Sequence, residues 1–179
     1  MAQFQAFAPG VQVDGAAVLA VVQELEDLGG IGQRILARHG IVSPQPGSWY
    51  SQQAWLDAFR EIAEKTGPAT LRGIGRRIPE TAVWPPEVSS IEAALGSIDL
   101  AYHLNHRGGE IGHYRFELAG PRSARLVCEN PYPCAFDLGI VERTAAKFAP
   151  AGVNPVVKHD DTRECRQHGA EGCTYLVTW

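Results

Sequence analysis

The chain has 179 residues, of which 45% are apolar and 20% charged, and a formal net charge of −4. That composition belongs to a globular chain long enough to bury a substantial core, not to a disordered one. The mild negative charge and the lack of any Lys/Arg run argue against nonspecific nucleic-acid binding.

The N-terminal stretch 1–9 has no basic region and no long apolar segment. It reads as neither a signal peptide nor a membrane span. A reducing cytoplasm is therefore the expected setting. There, four cysteines are more at home free, metal-bound or redox-active than in structural disulfides.

The first hundred residues read as mainly helical. Asp14 can cap a helix carrying Val18, Val21, Val22 and Leu25, closed by Gly29-Gly30. A shorter helix with Ile31, Ile35 and Leu36 follows and ends at Gly40. Residues 43–50 read as a loop. Ser51 then caps an amphipathic helix with Trp55, Ala58, Phe59 and Ile62 inward, ended near Gly67-Pro68. The spacing of Leu71, Ile74 and Ile78 predicts a helix over 70–79. Trp84-Pro85-Pro86 breaks the chain. The capping-box match Ser89-Ser90-Ile91-Glu92 opens a helix with Ile91, Leu95, Ile98 and Tyr102.

After Gly108-Gly109 the period changes to alternation. Residues 112–118 and 124–128 read as a hairpin turned at Gly120-Pro121. A helix over 136–148 carries Phe136, Ile140, Val141, Thr144 and Phe148, and 153–159 and 173–179 supply two more strands. Helices first and hairpins later imply one α+β domain. Residues 1–107 would be its mainly helical part and 108–179 its hairpin-rich part. The N-terminal helices would pack on a C-terminal antiparallel sheet.

Cys165 and Cys173 form a C-x7-C unit around a polar turn in which Gly169 and Gly172 are free to adopt positive φ. Two thiols across a turn can share a metal, form a disulfide or simply pack. Zinc needs about four N, S or O donors in a tetrahedral array. Cys134, at a helix entrance, is a third candidate. His159, Asp160, Asp161, His168 or Cys128 are candidates for the fourth. The packing alternative is also open, because Cys173 shares a face with Tyr175, Val177 and Trp179.

Cys134-Ala-Phe-Asp-Leu-Gly139, followed by Cys165-x7-Cys173-x-Tyr175 after a Gly-rich hairpin, resembles the 4-vinyl reductase domain family. That family is related to the haem-NO-binding-like and TRAPP-type domains. It includes the sensor domains of bacterial phenol-responsive activators and proteins linked to bacteriochlorophyll synthesis. The resemblance covers residues 108–179, with Cys134, Gly139, Cys165, Gly169 and Cys173 matching. It implies a zinc held by the three cysteines and a carboxylate, a small hydrophobic molecule in an enclosed cavity, and a homodimer or an effector partner. The carboxylate position is Thr162 here. His159, Asp160 or Asp161 would have to supply the fourth ligand in its place. Such a zinc would be structural, pinning a helix start to the terminal hairpin.

His103 and His106 lie one helical turn apart, a spacing that haem or a metal could use. At a helix end they are expected to face water, and no C-x-x-C-H attachment motif exists, so haem is not expected. The aromatic residues Trp55, Phe59, Trp84 and Tyr102 are candidates to line an apolar ligand pocket. Gly73-Ile-Gly75 lacks a preceding strand and a third glycine, which excludes a dinucleotide fingerprint. No Walker or G-x-S-x-G motif is present, so an enzyme is not expected. A small-molecule sensor-type domain is the leading reading. A tetrapyrrole-related enzyme or accessory protein, or a cysteine redox switch, are the alternatives.

Overall fold

The computed structural model describes residues 3–26 and 29–179. Asp14 caps α1 (Gly15–Glu24), its Oδ1 accepting from the Ala16 N–H at 2.7 Å. α2 (Ile31–Arg38) stops before Gly40. Ser51 caps α3 (Gln52–Thr66), its Oγ accepting from the Ala54 N–H. α4 (Pro68–Thr81) opens on a proline, where the missing N–H costs nothing.

Two expectations for this half are corrected. The loop over 43–50 runs into a short strand, β2 (Trp49–Ser51). It joins β1 (Gln12–Asp14) and β3 (His106–Arg107) in an antiparallel sheet of order β2-β1-β3. Strands of two or three residues are too short for alternation to show in a sequence. The helix expected from residue 89 to 102 is two helices, α5 (Ile91–Gly96) and α6 (Ile98–Leu104). Its cap is Ser90, whose Oγ accepts from the Ala93 N–H. The break falls at Ser97, whose hydroxyl donates back to the Ala94 carbonyl at 2.8 Å. Hydroxyl back-bonding of this kind competes with helix continuation.

The hairpin-rich part holds β4 (His113–Gly120), β5 (Ser123–Glu129), α7 (Cys134–Lys147), β6 (Val156–His159) and β7 (Cys173–Thr178). The four strands form an antiparallel sheet in the order β4-β5-β7-β6. α7 starts two residues before Phe136, which places Cys134 in its first turn behind Pro133. A 3-10 turn, Arg166–His168, leads towards β7. Gly169 takes φ +90°, as the turn requires, but Gly172 keeps an ordinary φ. Gly172 is small for another reason: a Cβ there would lie 3.2 Å from the Glu129 Cγ.

α4 and α7 pack tightly. A Cβ on Gly75 would meet the Phe136 carbonyl oxygen at 2.0 Å, and one on Gly139 would meet that of Arg72 at 2.1 Å. The two glycines let the backbones approach, so Gly75 serves packing. Trp55, Phe59, Tyr132 and Phe136 form an aromatic cluster between α3 and α7, with ring centroids 4.7–6.0 Å apart. Each such side chain contributes on the order of 1.5–3 kcal/mol by leaving water. Among the described residues no helix is long and apolar enough to cross a membrane.

Candidate functional site

Three distant cysteines meet where the start of α7, the 3-10 turn and the start of β7 converge. The sulfur of Cys134 lies 3.4 Å from that of Cys165 and 3.0 Å from that of Cys173, and the last two are 3.6 Å apart. His159, on the neighbouring strand β6, completes the group, with all four ligand atoms within 4.8 Å of one another. A zinc tetrahedron with Zn–S bonds of about 2.3 Å has edges of about 3.8 Å. The sulfur triangle is slightly smaller than one face of it.

His159 is set up as a ligand in a second way. Its Nδ1–H donates to the Asp161 carboxylate at 2.8 Å, while its Nε2 is buried and has no hydrogen-bond partner. Burial opposes protonation of this ring, but Cys173 and Asp161 favour it, and the balance raises its pKa. A metal-bound histidine usually holds its other nitrogen this way. Asp160 is engaged elsewhere: its Oδ1 accepts from the Thr162 N–H and hydroxyl. Cys128 is buried on β5 opposite Cys173, and burial pushes its thiol pKa up. Neither Asp160, His168 nor Cys128 belongs to the group.

Sequence reasoning missed the groups behind the sulfurs. Arg166 is buried, and both its backbone N–H and its Nε–H donate to the Cys173 sulfur at 3.4 Å. Its other nitrogens donate to the carbonyl and side chain of Asn130 and to the Asp137 carboxylate. Asp137 is itself fully buried. It accepts from the Tyr114 hydroxyl at 2.5 Å and from the Asn130 amide at 3.2 Å. Burial raises the Asp137 pKa, opposed by Arg166 and Tyr114. The Cys173 thiol pKa is lowered, first by its hydrogen bond with Cys134 and against burial, with Arg166 adding to the effect. A signal for this network did exist. Asp137 sits on the buried stripe Phe136–Val141 of α7, and a carboxylate there demands a partner.

A cavity of about 330 Å³ opens on the other side of this network, walled mainly by apolar side chains. Trp55, Trp84 and Tyr102 line it, and so do Tyr114, Tyr132 and Thr144. Phe59 does not, which corrects its assignment to the pocket. It stands behind Trp55 and Phe136, with ring centroids 4.7 and 4.9 Å away. Two polar atoms of the wall are buried without a partner: the Nε1 of Trp55 and the Oγ1 of Thr144.

His106 also lines the cavity, and it does not pair with His103. The helix ends at Leu104, and His106 enters β3 with its ring turned inward. Its Nδ1–H donates to the Tyr102 carbonyl at 2.8 Å. Its Nε2 accepts from the Tyr132 hydroxyl at 2.7 Å, which in turn accepts from the Gln52 amide. Burial pushes its pKa down to about 4, against the pull of the Tyr102 carbonyl, so the ring is neutral near pH 7. His103 instead stacks on His113 beside Asp99.

No protein-family model matches the chain, and no curated protein matches it in sequence. Solved structures do share its fold. An H-NOX protein from S. oneidensis in the Fe(II)NO ligation state is 13% identical, with a TM-score of 0.66 over 92% of this chain and 97% of its own. A structure that probes haem distortion in the H-NOX family is 18% identical, with a TM-score of 0.66 over 93% and 94%. An oxygen-binding H-NOX domain related to soluble guanylate cyclases is 17% identical, with a TM-score of 0.65 over 92% and 94%. At these identities the likeness speaks for the fold, which is the haem-NO-binding-like α+β fold.

The expectation against haem is corrected by these neighbours, since the fold includes proteins described with haem. The physical premise fails too, because His106 faces a buried cavity and not water. Its neutral tautomer, with Nδ1–H on a carbonyl, is one that could hold a haem iron if haem were bound. The Nε2 lone pair would have to exchange the Tyr132 hydroxyl for iron.

Proposed function

We propose that this chain is a small-molecule-binding domain of the sensor type, with the ligand in the apolar cavity and a structural zinc at Cys134, Cys165, Cys173 and His159. One observation carries the ligand reading: a cavity of about 330 Å³ with a mainly apolar wall, one of whose residues, Trp55, has an indole N–H without a protein partner. Buried polar atoms are nearly always satisfied, and a guest whose acceptor reaches this N–H would satisfy it. The unpartnered Thr144 hydroxyl supports the same reading. The resemblance of residues 108–179 to the 4-vinyl reductase domains points the same way.

The zinc reading rests on the donor set. Four protein donors leave no open position, which is the pattern of a structural site. Three thiolates, a neutral imidazole and Zn²⁺ carry a net charge of −1. Arg166, donating to Cys173, is placed to balance it. The metal would tie α7 to β6 and β7. Any output would pass to a second copy or to an effector protein.

A second reading, haem held by His106, is favoured by the neutral tautomer of that ring. A bound haem would supply gas binding or redox chemistry to the cavity. Native mass spectrometry with metal analysis, on protein purified without a His-tag, tests all of this. One zinc per chain and a retained organic molecule are expected. A Soret band lost in His106→Ala would instead establish the haem reading. An empty cavity that takes up neither haem nor small aromatic alcohols or ketones would end both.

A further inference from the structure

Asp99, His103 and His113 gather where α6 crosses β4, and neither reading above uses them. One ligand atom from each lies within 4.8 Å of the others. Asp99 Oδ1 stands 3.7 Å from His103 Nδ1 and 3.4 Å from His113 Nδ1. The two imidazoles stack at 5.0 Å between centroids and 32° between planes, so both rings present a nitrogen to the same carboxylate. That carboxylate is positioned from behind: the Tyr114 N–H donates to Asp99 Oδ1 at 2.8 Å. The three side chains are 36, 39 and 45% exposed, which leaves the far side of the group open to water.

Ordinary surface ion pairing explains one histidine beside Asp99. It does not require a second imidazole to stack on the first within reach of the same carboxylate, although His103 Nδ1 itself rests 2.9 Å from the Asp99 backbone carbonyl. A shared cation resolves the arrangement. With metal–ligand bonds of about 2.1 Å, a tetrahedron has edges of about 3.4 Å, close to both separations from the carboxylate. Two imidazoles and one carboxylate select borderline divalent transition metals over Mg²⁺ or Ca²⁺, which prefer oxygen throughout.

We propose that Asp99, His103 and His113 form a second metal site, open to solvent, for a divalent transition metal such as Zn²⁺ or Ni²⁺. On binding, His103 Nδ1 exchanges its contact with the Asp99 backbone carbonyl for the ion. The remaining coordination positions belong to water or to a further ligand. The ion clamps α6 to β4 beside Tyr102 and Tyr114, two residues of the cavity wall.

Calorimetric titration of Zn²⁺ into protein already saturated at the cysteine group tests the proposal. One further equivalent is expected, with the imidazole NMR signals of His103 and His113 shifting together. His103→Ala and His113→Ala should each weaken it at least about tenfold, the scale on which perturbing a metal's surroundings is felt. His168→Ala, an exposed histidine outside the group, should leave it unchanged. Both test residues are partly exposed, and melting curves confirm that the variants fold. A further equivalent that survives in the His103/His113 double variant is adventitious and overturns the proposal. So does the absence of any further heat at millimolar Zn²⁺ and Ni²⁺.

Discussion

The Nε–H of Arg166 donates to the Cys173 sulfur at 3.4 Å, while the far end of the same guanidinium grips the buried Asp137 carboxylate. Asp137 in turn accepts from Tyr114, whose ring lines the cavity. One continuous set of buried polar contacts therefore runs from the cavity wall to the sulfur group. Its two charges are stable inside the protein only because each satisfies the other.

Removing one partner should be costly. Arg166→Met leaves Asp137 as an uncompensated buried carboxyl and is expected to lose about 3–5 kcal/mol. Replacing both, as Arg166→Met with Asp137→Leu, should recover part of that loss, because the orphaned group goes too. Urea unfolding of the two proteins reads the difference. A single variant that costs less than about 1 kcal/mol would show that the pair is not an isolated buried ion pair.

The sulfur group makes a separate prediction about metal. Cys165→Ser removes one of four donors and should lower the melting temperature by at least about 4–8 °C, the shift for roughly 2 kcal/mol in a chain of this size. A chelator should lower wild-type melting similarly and do little to the variant. It should also expose thiols to titration, because all four cysteines are unpaired. If chelation changes neither melting nor thiol reactivity, the cysteines are only packed.

His106 makes stability depend on pH. Its folded pKa, pushed down to about 4, lies below the ordinary 6.5. Between those values the unfolded chain binds a proton that the native state refuses, so stability rises with pH across the window. The contribution is fully present above about 6.5 and is lost as pH falls to about 4. At about 1.36 kcal/mol per pH unit, it amounts to roughly 3 kcal/mol. Urea midpoints of wild type and His106→Gln, compared at pH 7, 5 and 4, isolate it, because glutamine does not titrate. Parallel curves for the two proteins would refute the assignment.

The site was legible in the sequence where the chain punctuates itself. Cys134, Cys165 and Cys173 stand at a helix start, a turn and a strand start, and such boundaries bring distant residues together. His159 lay just upstream, on the strand that pairs with β7. Arg166 was hidden because a turn rich in polar residues reads as solvent-exposed, and only packing buries it. The pairing of His103 with His106 assumed a helix running through both. The helix ends at Leu104, which frees His106 to turn inward and leaves His103 to meet His113 across the Gly108-Gly109 turn. Phe59 shares its helical face with Trp55, and periodicity cannot say which of two inward rings touches a cavity and which stands behind it.

The unpartnered N–H of Trp55 distinguishes ligand classes. Trp55→Phe keeps an aromatic ring in the wall and removes only the donor and part of the ring area. For a guest with a hydroxyl or carbonyl oxygen, the lost hydrogen bond should weaken binding by about 0.5–1.5 kcal/mol beyond the loss of apolar contact. For a hydrocarbon of the same size, only the contact loss applies, and the larger cavity can offset it. Dissociation constants for such a matched pair, measured on both proteins, give the hydrogen-bond contribution as a double difference. If that difference is zero, the indole N–H does not read the ligand.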